Sequence, residues 1–127
     1  KRLIQAMTDV KESINSYTMT RESIVLGAAS LADEEYFQEK KQMVVATRER
    51  TKEELRRRGF EVLDSSANFL FAKPNSVDAG WLFEELKKEK IFVRHFNGER
   101  IKDYLRISIG TDQQMDCLLQ AIDRIMA

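Results

Sequence analysis

The sequence predicts an α+β (α/β) fold: three helices followed by a ββαββα run, in which a small sheet is covered on one face by helices. Three observations carry this. Apolar residues recur at helical spacing near both ends of the chain, the period shifts to strand-like alternation between Gly59 and Gly110, and Ser, Thr, Asp and Gly fall where helices should start and stop. A length of 127 residues with 43% hydrophobic content suits one modest core.

The first helix is read from Leu3, Ile4, Met7, Val10 and Ile14, whose spacing makes one apolar stripe that must pack on something. It is expected to end near Asn15, with Asn15, Ser16, Tyr17 and Thr18 as a polar break. Thr20 then caps a second helix through Ile24, Ala28 and Leu31, in which Gly27, Ala28, Ala29 and Ser30 would permit close backbone approach. Asp33 caps the longest helix. Glu34 and Glu35 suit the positive end of its dipole, and Gly59 stops it.

Beyond Gly59, Phe60 to Leu63 and Asn68 to Ala72 carry the β-branched and aromatic residues of two strands, joined through Asp64, Ser65 and Ser66. Pro74, Asn75 and Ser76 end the second, and Asp78 opens a helix whose Leu82, Phe83 and Leu86 face inward. Two further strands are expected at Ile91 to Phe96 and Tyr104 to Ile109. In the last of these Leu105, Ile107 and Ile109 share one face, and Tyr104, Arg106 and Ser108 the other. The final helix opens on a capping box, Thr111 with Gln114, and carries the stripe Met115, Leu118, Leu119, Ile122, Ile125 and Met126.

Composition excludes several classes of function. Lys plus Arg and Asp plus Glu both number 21, so the broad attraction for nucleic acid or acidic membranes is missing. The single cysteine, Cys117, forms no internal disulfide, and no Cys/His cluster has metal-ligand spacing, so no metal is expected and a reducing, cytoplasmic setting fits. No apolar run reaches membrane-spanning length. Lys1 and Arg2 stand directly before a helical stretch with neither initiator Met nor cap, which suggests that Lys1 is a point inside a longer polypeptide.

Two arginines invite a ligand. Arg106 lies mid-strand between core-facing Leu105 and Ile107 with no acid beside it, where a guanidinium fork matches a carboxylate or phosphate; the alternative is a structural salt bridge to another element. Arg94, embedded in the apolar strand Ile91 to Phe96, invites a second anion or else belongs to an exposed edge strand. His95 has no Ser, Cys or carboxylate placed beside it and is read as structural. Cys117 is expected to pack as a small hydrophobe on its helix. The run Arg56, Arg57, Arg58 follows Glu53 and Glu54 at helical spacing and is read as a solvated, self-paired helix end.

An ordered set of segments gives the chain a family likeness. It comprises Val10-Lys11-Glu12-Ser13-Ile14-Asn15-Ser16-Tyr17, Leu31 to Phe37, Arg48 to Leu55, Gly59 to Leu63, Ser66-Ala67-Asn68-Phe69-Leu70-Phe71, Ile91 to Phe96, and Leu105-Arg106-Ile107-Ser108-Ile109-Gly110-Thr111. Together they resemble the C-terminal small domain of the histidinol-phosphate aminotransferase family, within the fold-type I pyridoxal-phosphate enzymes.

The resemblance implies that Arg106 grips the substrate α-carboxylate, that Arg94 makes a second anion contact, and that Asn68 lies near the cofactor cleft. A purely local reading makes Asn68 a strand-start residue bonding its own turn. The resemblance further implies a helical connection over residues 1–32 and a small domain proper over 33–127. Pyridoxal 5'-phosphate would be the cofactor of the full-length enzyme and is not expected on this chain alone. The parent would be a cytoplasmic homodimer acting on an amino-acid substrate, with no nucleic-acid or membrane partner.

The family's Schiff-base lysine sits in a Ser-Lys or Thr-Lys motif followed by a glycine-rich segment, a context that no lysine here has, so this chain holds no catalytic residue of its own. Thr18 replaces a proline common in the family. Aromatic amino-acid aminotransferase, threonine-phosphate decarboxylase and a stand-alone binding module are the alternatives.

Overall fold

The computed structural model describes residues 2–15 and 19–127, the side chains of residues 14 and 15 aside. Its elements run α1 (Arg2–Asn15), α2 (Arg21–Ala32), α3 (Glu34–Arg57), β1 (Phe60–Val62), β2 (Phe69–Pro74), α4 (Ala79–Lys88), β3 (Arg94–His95), β4 (Leu105–Ser108) and α5 (Asp112–Met126). This is the predicted order of three helices followed by ββαββα. The start at Lys1 and the expected polar break at residues 16–18 lie outside the described residues.

The chain divides into two compact units, Lys1–Gln38 and Glu39–Ala127. In the first, Thr20 caps α2 by accepting from Ser23 N, and Asp33 Oδ1 accepts from Tyr36 N at the start of α3. The α1 stripe does not find the partner the sequence calls for. Leu3, Ile4, Met7 and Val10 are all exposed, and α2, small residues included, buries nothing.

The second unit holds the core. Its antiparallel sheet has the order β1-β2-β4-β3, with Phe60 opposite Pro74, Leu70 opposite Ile107 and His95 opposite Leu105. Alternation sends Phe60, Val62, Leu70, Ala72, Leu105 and Ile107 to one face. There they meet Leu55 of α3, Leu82 and Leu86 of α4, and Leu118, Leu119 and Ile122 of α5. Phe83, expected inward, is only partly buried and lies beside the His95 ring.

Local chemistry explains the element ends. Gly59 at φ +81° closes α3 while its N–H donates to Arg56 O, and Asp78 and Thr111 cap α4 and α5, the latter with the full capping box. The strand expected over Ile91 to Phe96 shrinks to Arg94–His95. Lys90, at φ 63°, turns the chain out of α4, and only two residues come into register with β4.

The arginine run at the end of α3 pairs as expected in kind but not in every partner. Arg56 takes Glu53, whereas Arg57 and Arg58 share Glu54. Arg58 also grips Asp123 of α5 in a fork, Nε to Oδ1 at 2.7 Å and Nη2 to Oδ2 at 2.9 Å. That guanidinium holds the Asp123 carboxyl below its ordinary value of 3.8. A carboxyl depressed in the folded state stabilises fully above its unfolded value, and the contribution is lost as pH falls through the folded value. Asp123→Asn should therefore flatten the loss of urea stability between about pH 5 and pH 3; an acid slope equal to that of the parent chain would remove this clasp from the account.

Candidate functional site

The same alternation that fills the core leaves a second face of the sheet carrying side chains of another kind. Phe69, Phe71 and Lys73 of β2, Tyr104, Arg106 and Ser108 beside and within β4, and Arg94 of β3 share it. Phe71 is the hub: its ring lies 5.7 Å from Tyr104 and stacks at 6.4 Å on Phe96. The Tyr104 hydroxyl donates to Glu61 Oε1 at 2.9 Å, and this bond to a carboxylate raises its pKa above the usual 10.0.

Arg106 stands in the middle of this face. Its guanidinium carbon lies 5.2 Å from the centre of the Phe69 ring, an attractive cation–π arrangement that also fixes the side chain. Its Nε is buried and has no hydrogen-bond partner. A buried, unmet donor costs about 1–3 kcal/mol, more when charged, so such a group points to a ligand that satisfies it. Among the described residues no carboxylate pairs with Arg106, and the structural salt bridge considered from sequence is not there.

Arg94 is directly opposite Arg106 across the β3–β4 pair and is exposed. Like charges placed directly opposite repel, and nothing among the described residues neutralises them. Two guanidiniums on one rigid pair of strands make a set of donors for an anion. Asn68 sits at the adjoining end of β2, exposed, with its carbonyl accepting from Ile109 N at 2.9 Å. Its side chain does not bond its own turn. Ser65 does so, donating from Oγ to Phe69 O at 2.7 Å and accepting from Ala67 N at 3.1 Å.

A concavity of 530 Å³ is lined by Met43, Thr47, Gly110 and Thr111, and one of 510 Å³ by Phe92, Ser108 and Cys117; neither includes the two arginines.

The profile of the family described as aminotransferase class I and II matches residues 1–122. The chain belongs to this family. It is 43% identical over 125 residues to a histidinol-phosphate aminotransferase of Clostridium acetobutylicum, and 45% identical over 124 residues to one of Aromatoleum aromaticum. Each alignment covers 98% of this chain but only 36% and 35% of the relative, so the chain spans about a third of their length. Among solved structures, histidinol-phosphate aminotransferase from Sinorhizobium meliloti in complex with pyridoxal-5'-phosphate superposes with a TM-score of 0.75 at 27% identity, covering 89% of this chain and 32% of that one. The C. acetobutylicum histidinol-phosphate aminotransferase gives 0.66 at 26% identity, covering 73% and 29%.

The structure brings Arg94 and Arg106 onto one face and places Asn68 immediately before Phe69, over whose ring the Arg106 guanidinium lies. Phe69 lies in the segment Ser66 to Phe71 but receives no site role from sequence, although its position two residues before Phe71 on an alternating strand is the available signal. His95 Nε2 lies 2.6 Å from Lys102 O; a carbonyl only accepts, so this nitrogen carries the proton and ties β3 to the following turn. Cys117 corrects an expectation. It is exposed rather than packed, because the buried seam of α5 runs through Met115, Leu118, Leu119 and Ile122 and leaves position 117 outside it. None of the described helices is long and apolar enough to cross a membrane.

Proposed function

We propose that this chain is the substrate-carboxylate-binding small domain of a pyridoxal-phosphate-dependent histidinol-phosphate aminotransferase, with Arg106 as the carboxylate anchor. The observation that carries this is the buried, unpartnered Nε of Arg106 on a guanidinium already fixed over Phe69. A carboxylate of the amino-acid or 2-oxo-acid partner meeting that fork gains two parallel charge-assisted hydrogen bonds; histidinol phosphate carries no carboxylate, and its phosphate offers the fork the same anionic oxygens. Identities of 40–46% to relatives bearing the histidinol-phosphate name support that substrate over the alternatives.

Arg94 makes the second anion contact. Its opposition to Arg106 suits a substrate with two negative groups, or one anion shared by both cations. Asn68, exposed with its amide unengaged, would lie near the cofactor cleft and could hydrogen-bond to pyridoxal phosphate there. When bound, pyridoxal phosphate supplies an electron sink for the bond broken at the substrate α-carbon.

The residues of this chain orient the substrate. Holding the carboxylate on a rigid strand fixes which α-bond is presented, and the aromatic rings around Phe71 give the anion site an apolar border. Residues 1–32 serve as the helical connection to a large domain and 33–127 as the small domain proper, in a cytoplasmic homodimer. The α1 stripe, exposed in this chain, is the surface that connection would bury.

The test is amino transfer from histidinol phosphate to a 2-oxo acid by the complete enzyme containing this chain. Turnover is expected with histidinol phosphate and not with a threonine-phosphate decarboxylation assay. Decarboxylation without transfer would replace the reading.

A further inference from the structure

Side chains of α3 hydrogen-bond to the chain that leads into the anion face. Arg48, Lys52 and Arg56 recur every four residues and so line one side of α3. All three reach the end of β1 or the connection that follows it. Arg56 Nη2 donates to Val62 O at 3.0 Å, Lys52 Nζ lies 3.5 Å from Asp64 Oδ1, and Arg48 Nη1 donates to Ala67 O at 3.0 Å.

Arg48 differs from the other two arms of this clamp. Its side chain is only 11% exposed, and Glu49 bonds its Nε and Nη2 at 3.0 Å, leaving Nη1 directed at the loop. The same Glu49 is ion-paired with Lys52, and the two cations hold its carboxyl below the usual range. The carbonyl that Arg48 holds belongs to the residue before Asn68. Asn68 O then accepts from the N–H of Ile109, the residue that follows β4, and the next residue, Phe69, is the platform under the Arg106 guanidinium.

We propose that Arg48 is a positioning residue for the anion site: by holding Ala67 O it sets Asn68 and Phe69, and through Phe69 it sets the guanidinium of Arg106. This rests on Arg106 being the carboxylate anchor. The fork of Arg48 is shared between Glu49 and the carbonyl, so a methionine removes both links while keeping the apolar stem. Lysine keeps the charge and one donor, but cannot serve both partners with the same geometry.

The experiment is calorimetric titration of maleate, a dicarboxylate that undergoes no amino transfer, into the complete cofactor-loaded enzyme. Arg48→Met is expected to weaken maleate about tenfold, the scale of one lost charge-assisted hydrogen bond, and Arg48→Lys about threefold. Arg58→Met is the control, because Arg58 clasps Asp123 and Glu54 and touches no part of the loop. It should lower the melting temperature and leave maleate affinity at the parent value.

Arg48→Met binding maleate as tightly as Arg58→Met does would overturn the proposal. If Arg48→Met does not fold, Arg48→Lys carries the test, and parental affinity in that variant overturns it equally. Arg106→Ala in the same series separates the two readings. Parental affinity there defeats the anchor assignment itself, whereas loss in Arg106→Ala with none at Arg48 defeats only the positioning role.

Discussion

Arg106→Ala in the complete enzyme is expected to lower kcat/KM for an amino-acid substrate by roughly 10²-fold, about 3 kcal/mol, while the cofactor stays bound. The size follows from the geometry. Alanine removes a two-pronged charge-assisted contact and, with it, the alignment that a rigid strand imposes on the substrate. The buried Nε that lacks a partner disappears as well, so the folded chain loses little stability, and a melting curve near that of the parent is part of the expected result. Arg106→Lys should fall between the two, because an ammonium keeps the charge without the planar fork. Steady-state kinetics with a cofactor absorbance check measure both halves; a loss of cofactor equal to the loss of rate would move Arg106 from substrate to cofactor binding.

Ile107→Ala, one residue along the same strand, acts in the opposite sense. Ile107 is 1% exposed and sits opposite Leu70 in the centre of the core. Truncating it leaves a cavity under the sheet and should cost about 2–4 kcal/mol, read as a lower urea midpoint with an unchanged slope. Adjacent positions are therefore divided by the pleat: odd residues of β4 fill the core, and Arg106 stands on the proposed binding face. A cost at Ile107 below about 1 kcal/mol would mean that the core face is loosely packed.

Much of this arrangement is legible in the sequence because it depends on short-range rules. The caps at Thr20, Asp78 and Thr111, the stop at Gly59 and the alternation from Leu105 to Ser108 are each set by a few neighbouring residues, and the structure keeps them all. Arg106 stood out for the same reason, as a cation on a strand without a neighbouring acid. What could not be read depends on long-range pairing. The sheet order β1-β2-β4-β3, which sets Arg94 against Arg106, has no local signature.

The misreadings have physical causes too. Ile91 to Val93 has strand composition but no strand pairing, since Lys90 turns the chain and only Arg94 and His95 meet β4. Cys117 lies among apolar residues in sequence, yet a helix places it one step off the buried seam. The grip of Arg48 on Ala67 spans nineteen residues, and only its four-residue spacing from Lys52 and Arg56 hints that the three act on one side of α3.

The central claim is that Arg106 holds the substrate carboxylate, and calorimetric titration of maleate into the cofactor-loaded enzyme and its Arg106→Ala variant tests it most directly. Saturable binding by the parent and a loss of roughly 10²-fold in the variant are expected, with both proteins carrying cofactor. Equal affinities in the two proteins would contradict the claim and return Arg106 to a structural role.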